Sequence, residues 1–432
     1  AMRTITESES TPKADGFHMP AEFAEQKRVW MGWPRRTDTW SFGAKPAQRQ
    51  YAAIARAIAE FTPVIMCANE GDYANCKAVF ENDEGVTVLE MTTDDAWFRD
   101  TGATFVVDDK GELRANNWRF NAYGGMVDGL YFPWRADDEI AQKMAEIAGA
   151  RTYRPDDMVL EGGSITVDGE GTVVVTDQCL LSPGRTCSAV MADEEDVDTI
   201  WPRHARKFEP WSEALREYMT EHLKEYLGVE KVIWVKEGID PEETNGHIDD
   251  VATFVAPGVM ACIWSDDPSY PFYSQCHDAY ETLSNATDAQ GRKLRVHKLP
   301  MPANPLYMTR EACDSIDVDE NAEPRVPDEP LIASYMNYLV TNHGVITPQY
   351  GDENDQLAID TLQRIYDETW GEGAYRVVGV KSDQVVYGGG NIHCITQQEP
   401  VRRVPSVAPG PSGATVTLRG SPCPLSRSCS LW

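Results

Sequence analysis

Short apolar runs alternate along the chain with longer segments whose apolar residues recur at helical spacing. Runs at 28–33, 63–68, 86–91 and 103–107 predict strands. Between the first two, 47–61 predicts an amphipathic helix, and a second helix is expected over about 138–148. A β-branched run at 172–181 predicts a strand, 209–227 the longest helix, and 231–236 the next strand. Strand 251–264, helix 273–285 and strand 293–299 follow, then strand 338–347, helix 355–369 and strand 375–380. The strand–helix–strand unit thus recurs about five times at roughly 50–80 residues, the period range of repeat and propeller architectures. Segments 186–207 and 314–330 fit neither period and are expected to be long loops, which in compact folds commonly carry function.

The two ends read differently. Residues 1–17 are polar and mildly acidic, which fits a flexible segment and neither a secretory signal nor a transit peptide. Residues 401–432 hold six Ser, five Pro, three Gly and four Arg with no acid, the composition of a flexible tail.

Charge narrows the partners. The 432 residues carry 39 Lys and Arg against 69 Asp and Glu, a net charge of −30. Removing the +4 of the tail leaves −34 over 1–400. Such a surface repels phosphates, so nucleic acid and anionic membranes are not expected partners. No run approaches the ~18 apolar residues of a membrane helix. Hydrophobic residues at 42% exclude wholesale disorder. The ten cysteines are scattered without a CxxC pair, which fits reduced thiols in a cytoplasmic protein.

Four segments carry candidate chemistry, each beside a predicted strand. Asp94-Asp95-Ala96-Trp97-Phe98-Arg99-Asp100-Thr101-Gly102 packs carboxylates, an indole and a guanidinium into one turn. Carboxylates suit a guanidinium ligand, because two oxygens accept two parallel N–H bonds. Trp97 suits an alkyl chain or a cation face. The plainer reading is a solvated turn with an internal Arg99–Asp ion pair. Leu160-Glu161-Gly162-Gly163-Ser164 places an acid at the edge of two glycines, or is simply a hairpin turn. In Glu243-Thr244-Asn245-Gly246-His247-Ile248-Asp249-Asp250, an extended backbone would turn His247 and Asp249 to one face, an acid–base arrangement. In Tyr387-Gly388-Gly389-Gly390-Asn391-Ile392-His393-Cys394, the glycines expose main chain before the one cysteine that follows such a loop. Cys394 is therefore the nucleophile candidate, against the plainer reading of a buried structural thiol. No serine-hydrolase elbow, phosphate loop or zinc spacing is present.

Together WFRDTG, LEGGS, ETNGHID and GGGNIHC, with MPAEF and VWMGWP at the start and CITQQEP at the end, resemble the agmatine deiminase family over about 18–400. The resemblance implies an α/β fold, a five-bladed pseudo-fivefold propeller of the pentein type with a central site, in one catalytic domain over 18–400. It implies hydrolysis of agmatine to N-carbamoylputrescine and ammonia toward putrescine, with no metal or organic cofactor. Carried onto matching positions, Cys394 is the nucleophile, His247 the general acid and base, Asp100 and Asp249 the guanidinium holders, and Glu161 their support. Trp97, Glu243, Gly390 and Asn391 are the candidate substrate-binding positions. A homodimer or larger homo-oligomer is expected on the same ground. The tail after residue 400 departs from the family pattern.

Three other classes stay open to test. A deiminase of arginine or methylated arginine would need a cation for the substrate carboxylate. A cysteine peptidase would digest casein, and an acidic binding protein would show no selective thiol labelling.

Overall fold

The computed structural model describes residues 2–189, 207–318 and 324–402. Five of its sheets repeat one pattern, an antiparallel pair whose second strand is joined in parallel by a third. Thr104–Asp108 and Leu113–Asn116 are antiparallel, and Arg151–Arg154 joins the latter in parallel. Thr166–Val167, Thr172–Thr176 and Lys231–Val235 do the same. So do Ala252–Ala256, Val259–Trp264 and Arg295–Pro300, and Leu339–Val340, Gly344–Gln349 and Arg376–Lys381. The fifth sheet draws on both ends of the body. Thr396–Pro400 runs antiparallel to Gln26–Gly32, which pairs in parallel with Val64–Ala68, and that strand with Val86–Glu90.

A parallel partner needs a long connection, and a helix makes each one. The five that recur with the pattern are Ile140–Ala148, Glu213–Leu227, Tyr273–Asn285, Asp355–Trp370 and Lys45–Ala59, and Glu70–Val79 makes the extra connection in the fifth sheet. Each of the five buries one stripe. Lys45–Ala59 buries Tyr51, Ile54, Ala55 and Ile58, and Asp355–Trp370 buries Ala358, Leu362, Ile365 and Tyr366. Each large apolar side chain so buried contributes about 1.5–3 kcal/mol. The longest predicted helix starts at Glu213 rather than 209, because the Ser212 hydroxyl accepts Leu215 N–H at 3.1 Å and caps it there.

Three predicted strands change shape. The run 172–181 ends at Thr176, whose hydroxyl accepts from Cys179 N–H and starts the helical turn Asp177–Leu180. The run 251–264 is a hairpin folded at Pro257 and Gly258, the latter at φ +76°. The run 338–347 is a hairpin folded at 341–343. A continuous apolar run hides such turns when both arms are buried. Helix Glu70–Val79 was not legible, since Cys76 is its one buried residue and it has no apolar stripe.

Within the N-terminal segment expected to be flexible, Ile5–Thr6 pairs in parallel with Arg151–Arg154. Of the expected loops, Thr186–Ala189 is helical and Pro330–Leu331 pairs with Leu306–Tyr307, while 190–206 and 319–323 lie outside the described residues. So do 403–432 of the expected tail. Among the described residues no helix is long and apolar enough to cross a membrane.

The repeat has a consequence for chemistry. A short connection leads into the first strand of each sheet, and these five connections hold Asp100, Glu161, Asp249, Asn337 and Cys394. Corresponding connections of the five sheets thereby supply one polar cluster.

Candidate active site

Two motifs are stitched together directly. The four-residue helix Phe98–Thr101 donates Arg99 N–H to the Cys394 carbonyl at 3.1 Å. The Arg99 side chain donates to the His393 carbonyl at 3.1 Å and to Gln397 and Gln398 at 3.0 and 2.7 Å. Arg99 is 1% exposed and pairs with Glu22 at 3.4 Å, so the solvated-turn reading of this segment is wrong. Burial of the turn leaves its cation no solvent, and distant acceptors replace it.

The structure brings Cys394, His247, Asp100, Asp249 and Glu161 into one buried cluster. Cys394 Sγ lies 3.5 Å from Asp249 Oδ2. His247 Nδ1 lies 3.9 Å from Asp100 Oδ1 and 4.0 Å from Asp249 Oδ1, and its Nε2 is 3.2 Å from Glu161 Oε1. Residues 248–250 form a 3-10 turn, not the extended backbone expected. The turn still sets His247 and Asp249 around the same point. His247 Nδ1 and Asp249 Oδ1 are buried and make no hydrogen bond. A Cβ added to Gly163 would stand 2.6 Å from His247 Nδ1 and 2.9 Å from both Asp100 Oδ1 and Asp249 Oδ2. The three polar groups therefore converge on the bare face of Gly163.

Each is held from behind. Asp100 accepts Gly163 N–H at 2.9 Å and the Tyr123 hydroxyl at 2.7 Å. Glu161 accepts Arg185 Nε–H at 2.7 Å, and Arg185 donates onward to the carbonyls of Tyr123 and Thr244. His393 bridges two carboxylates, with Nδ1 2.9 Å from Asp249 Oδ2 and Nε2 2.9 Å from Glu22 Oε1. Asn337 Oδ1 accepts the main-chain N–H of His393 at 2.9 Å and of Cys394 at 3.2 Å. Its Nδ2 donates to Asp250 Oδ1 at 2.9 Å and to Cys394 Sγ at 3.2 Å.

Charge follows from this geometry. Burial pushes Asp100 up to about 6, with Asp249 and Glu161 adding to the rise and His247 opposing it. Burial would also raise Asp249, but His393, His247 and Arg99 bring it below the usual carboxylate value. Burial pulls His247 down, yet Asp100, Cys179 and Glu161 outweigh it and hold the imidazole well above its ordinary value. Burial, Asp249, Asp250 and Asp100 push the Cys394 thiol well up, and the main-chain N–H of Asn391 pulls the other way.

The substrate-binding candidates divide. Trp97 is fixed by donating Nε1–H to Asp95 at 2.8 Å and stacking on Trp40 at 5.3 Å. Gly390 packs tightly, since a Cβ there would be 2.8 Å from the Trp97 ring and 3.0 Å from Cys394 Sγ. Glu243 lies against Gly389 and is ion-paired to Arg325. The Asn391 side chain turns away from the sulfur, donating to Tyr350 at 3.1 Å and accepting Ile392 N–H, so only its main chain faces the thiol.

Sequence reasoning missed Glu22, Tyr123, Arg185, Asn337 and the role of His393. Glu22 lies inside the MPAEF segment and His393 inside GGGNIHC, where only Cys394, Gly390 and Asn391 are singled out. The backbone at His393 and Cys394 is a turn, so both side chains reach the site. Among the described residues, Glu161, Cys179 and His247 bring ligand atoms within 4.8 Å of one another. The Arg185 guanidinium already places positive charge on Glu161, which opposes a metal ion there.

The model of the Porphyromonas-type peptidyl-arginine deiminase family matches residues 18–196 and 212–400. A Streptococcus mutans protein is 50% identical over 393 residues, 90% of this chain and 98% of its own. The agmatine deiminase of Pseudomonas aeruginosa is 45% identical over 394 residues, 91% of this chain and 98% of its own. The solved structure of the Enterococcus faecalis agmatine deiminase has a TM-score of 0.82 at 47% identity, covering 93% of this chain and all of that one.

Proposed function

The chain belongs to the agmatine deiminase family, and from that premise we propose that it hydrolyses agmatine to N-carbamoylputrescine and ammonia. The observation that carries this reading is the convergence on Gly163 of Asp100, Asp249 and the unpartnered His247 Nδ1, beside the Cys394 sulfur. Two carboxylates and an imidazole converging on one point suit a guanidinium, and a thiol beside them suits attack on the central carbon.

Asp100 and Asp249 hold the guanidinium and fix its carbon against Sγ. The cation offsets the local acids and lowers the thiol pKa, and its proton leaves to solvent. The thiolate forms a C–S bond. The His247 imidazolium gives its proton to a terminal nitrogen, that C–N bond breaks, and ammonia leaves. A thiouronium remains on Cys394. Neutral His247 then takes a proton from water as its oxygen attacks. The C–S bond breaks, the sulfur keeps the electron pair, and the ureido product loses its last proton to solvent. Glu161 and Arg185 orient His247 throughout. Trp97 lines the alkyl chain, and Glu243 supplies the acid expected for the distal ammonium, which replaces Arg325 on it. The Asn391 N–H and the close approach at Gly390 shape the sulfur's side of the site. No step calls for a metal or organic cofactor.

The same reading includes a five-bladed pentein propeller over 18–400, supported by the five sheets of like pattern and by the site residues at their equivalent connections. It includes a homo-oligomeric, cytoplasmic enzyme of putrescine synthesis that binds neither nucleic acid nor membrane, supported by the net charge of −30 and by family membership. The test is a paired assay of ammonia and ureido product with agmatine and with arginine. Turnover of agmatine alone is expected, and preference for arginine would overturn the substrate assignment.

A further inference from the structure

The connection into the fourth sheet carries no recognised motif, yet it sits where the other four place Asp100, Glu161, Asp249 and Cys394. Asn337 stands there, fully buried and 57 residues from the cysteine it touches. We propose that Asn337 is a catalytic residue whose Nδ2–H hydrogen bond holds the Cys394 sulfur as the attacking thiolate. This rests on the reading of Cys394 as nucleophile.

The amide orientation is fixed by chemistry. Two main-chain N–H groups, of His393 and Cys394, point at one end of the Asn337 amide, and that end must be the oxygen. The other end is therefore the NH2. One of its hydrogens goes to Asp250 Oδ1 at 2.9 Å, which leaves the second for Sγ at 3.2 Å. Asp250 is itself anchored, its carbonyl accepting the Ser334 hydroxyl at 2.8 Å. Asn337 thus grips the turn that bears the nucleophile through its oxygen and addresses the sulfur through its nitrogen. The need is plain from the surroundings. The carboxylates of Asp249, Asp250 and Asp100 all disfavour negative sulfur, and among the described residues Asn337 is the side-chain donor aimed at it, beside the Asn391 main-chain N–H. A hydrogen bond to an ionised group favours that form, and here it does so without adding charge to a site that binds a cation.

The alternative role is anchoring alone, and Asn337→Asp separates the two. An aspartate keeps the oxygen that accepts both main-chain N–H groups and loses the donor. The exchange Asp250→Asn with Asn337→Asp also keeps one amide and one carboxylate facing each other. Both variants are compared with the wild-type chain in agmatine turnover and in the pH dependence of Cys394 alkylation by iodoacetamide. The donor role predicts turnover lower by about 10- to 100-fold and an alkylation profile moved up by about one to two pH units in both. Wild-type turnover and an unmoved profile in the exchange variant would reduce Asn337 to an anchor. Alkylation reads the sulfur without substrate. A profile shifted in the variants while the wild-type chain itself does not turn over agmatine would sink the function and keep this inference, and wild-type turnover with unshifted profiles would do the reverse. If neither variant folds, the wild-type chain decides. The Asn337 side-chain amide resonances must shift as Cys394 ionises, and resonances that stay fixed would overturn the proposal.

Discussion

The Cys394 sulfur lies 3.5 Å from Asp249 Oδ2, so the proposed nucleophile rests against a carboxylate. Together with burial and the other acids, this keeps the free chain in the thiol form at neutral pH. A cation bound among these groups reverses the balance. A haloacetamidine should therefore alkylate Cys394 at least ~10-fold faster than a haloacetamide, each normalised to its rate with a free thiol, as one nearby charge pair provides. Agmatine should slow that labelling. Peptide mass spectrometry reads it, and equal normalised rates or labelling spread over the other cysteines would count against the site.

Gly163→Ala tests where the guanidinium sits. Gly163 has no left-handed backbone angle, so an alanine there meets no intrinsic strain. Its methyl would project to within 2.6 Å of His247 Nδ1 and 2.9 Å of the two aspartates. We expect a folded chain with kcat/KM for agmatine reduced at least ~100-fold, because misplacement by an ångström costs that much. Retained turnover would place the substrate elsewhere.

Glu161→Gln tests the orientation of His247. The buried Arg185 loses its ion-pair partner, at a cost of about 3 kcal/mol in denaturant unfolding. With one of the acids that raise it removed, the His247 pKa falls, and the alkaline limb of kcat moves to lower pH. The stability side has a fixed sign. The folded pKa of His247 is raised, so its contribution is full below about 6.5 and is lost as pH rises through the folded value. An unmoved alkaline limb would remove Glu161 from that role.

Asp100→Asn and Asp249→Asn each delete a charge-assisted contact and should lower kcat/KM by at least ~100-fold. In the wild-type chain, Asp100 takes up a proton near pH 6, so kcat/KM should fall on its acid side below about that value. A profile flat down to pH 4.5, or an active Asn variant, would release that aspartate from binding.

How much of this was legible depended on sequence distance. Cys394, His247, Asp100 and Asp249 lie in short segments that the family resemblance picks out without the fold. Their supports do not. Arg185 reaches Glu161 across 24 residues and Asn245 across 60, and no local pattern announces it. Asn337 shows only once the folded sheets place it, in the one unit without a recognised motif. The strand rule that paired His247 with Asp249 gave the right neighbours on the wrong backbone, because a 3-10 turn brings residues two apart around one point as well. The two merged hairpins failed for a related reason. Their turns are short and their arms buried, so the apolar run masks the reversal.

The covalent step is the centre of the account, and rapid acid quench during agmatine turnover tests it directly. The peptide bearing Cys394 should carry the mass of agmatine less ammonia, appearing with the first ammonia released and decaying as N-carbamoylputrescine forms, and Cys394→Ser should show neither adduct nor ammonia. An unmodified Cys394 peptide throughout turnover, or ammonia release by Cys394→Ser at the wild-type rate, would contradict it.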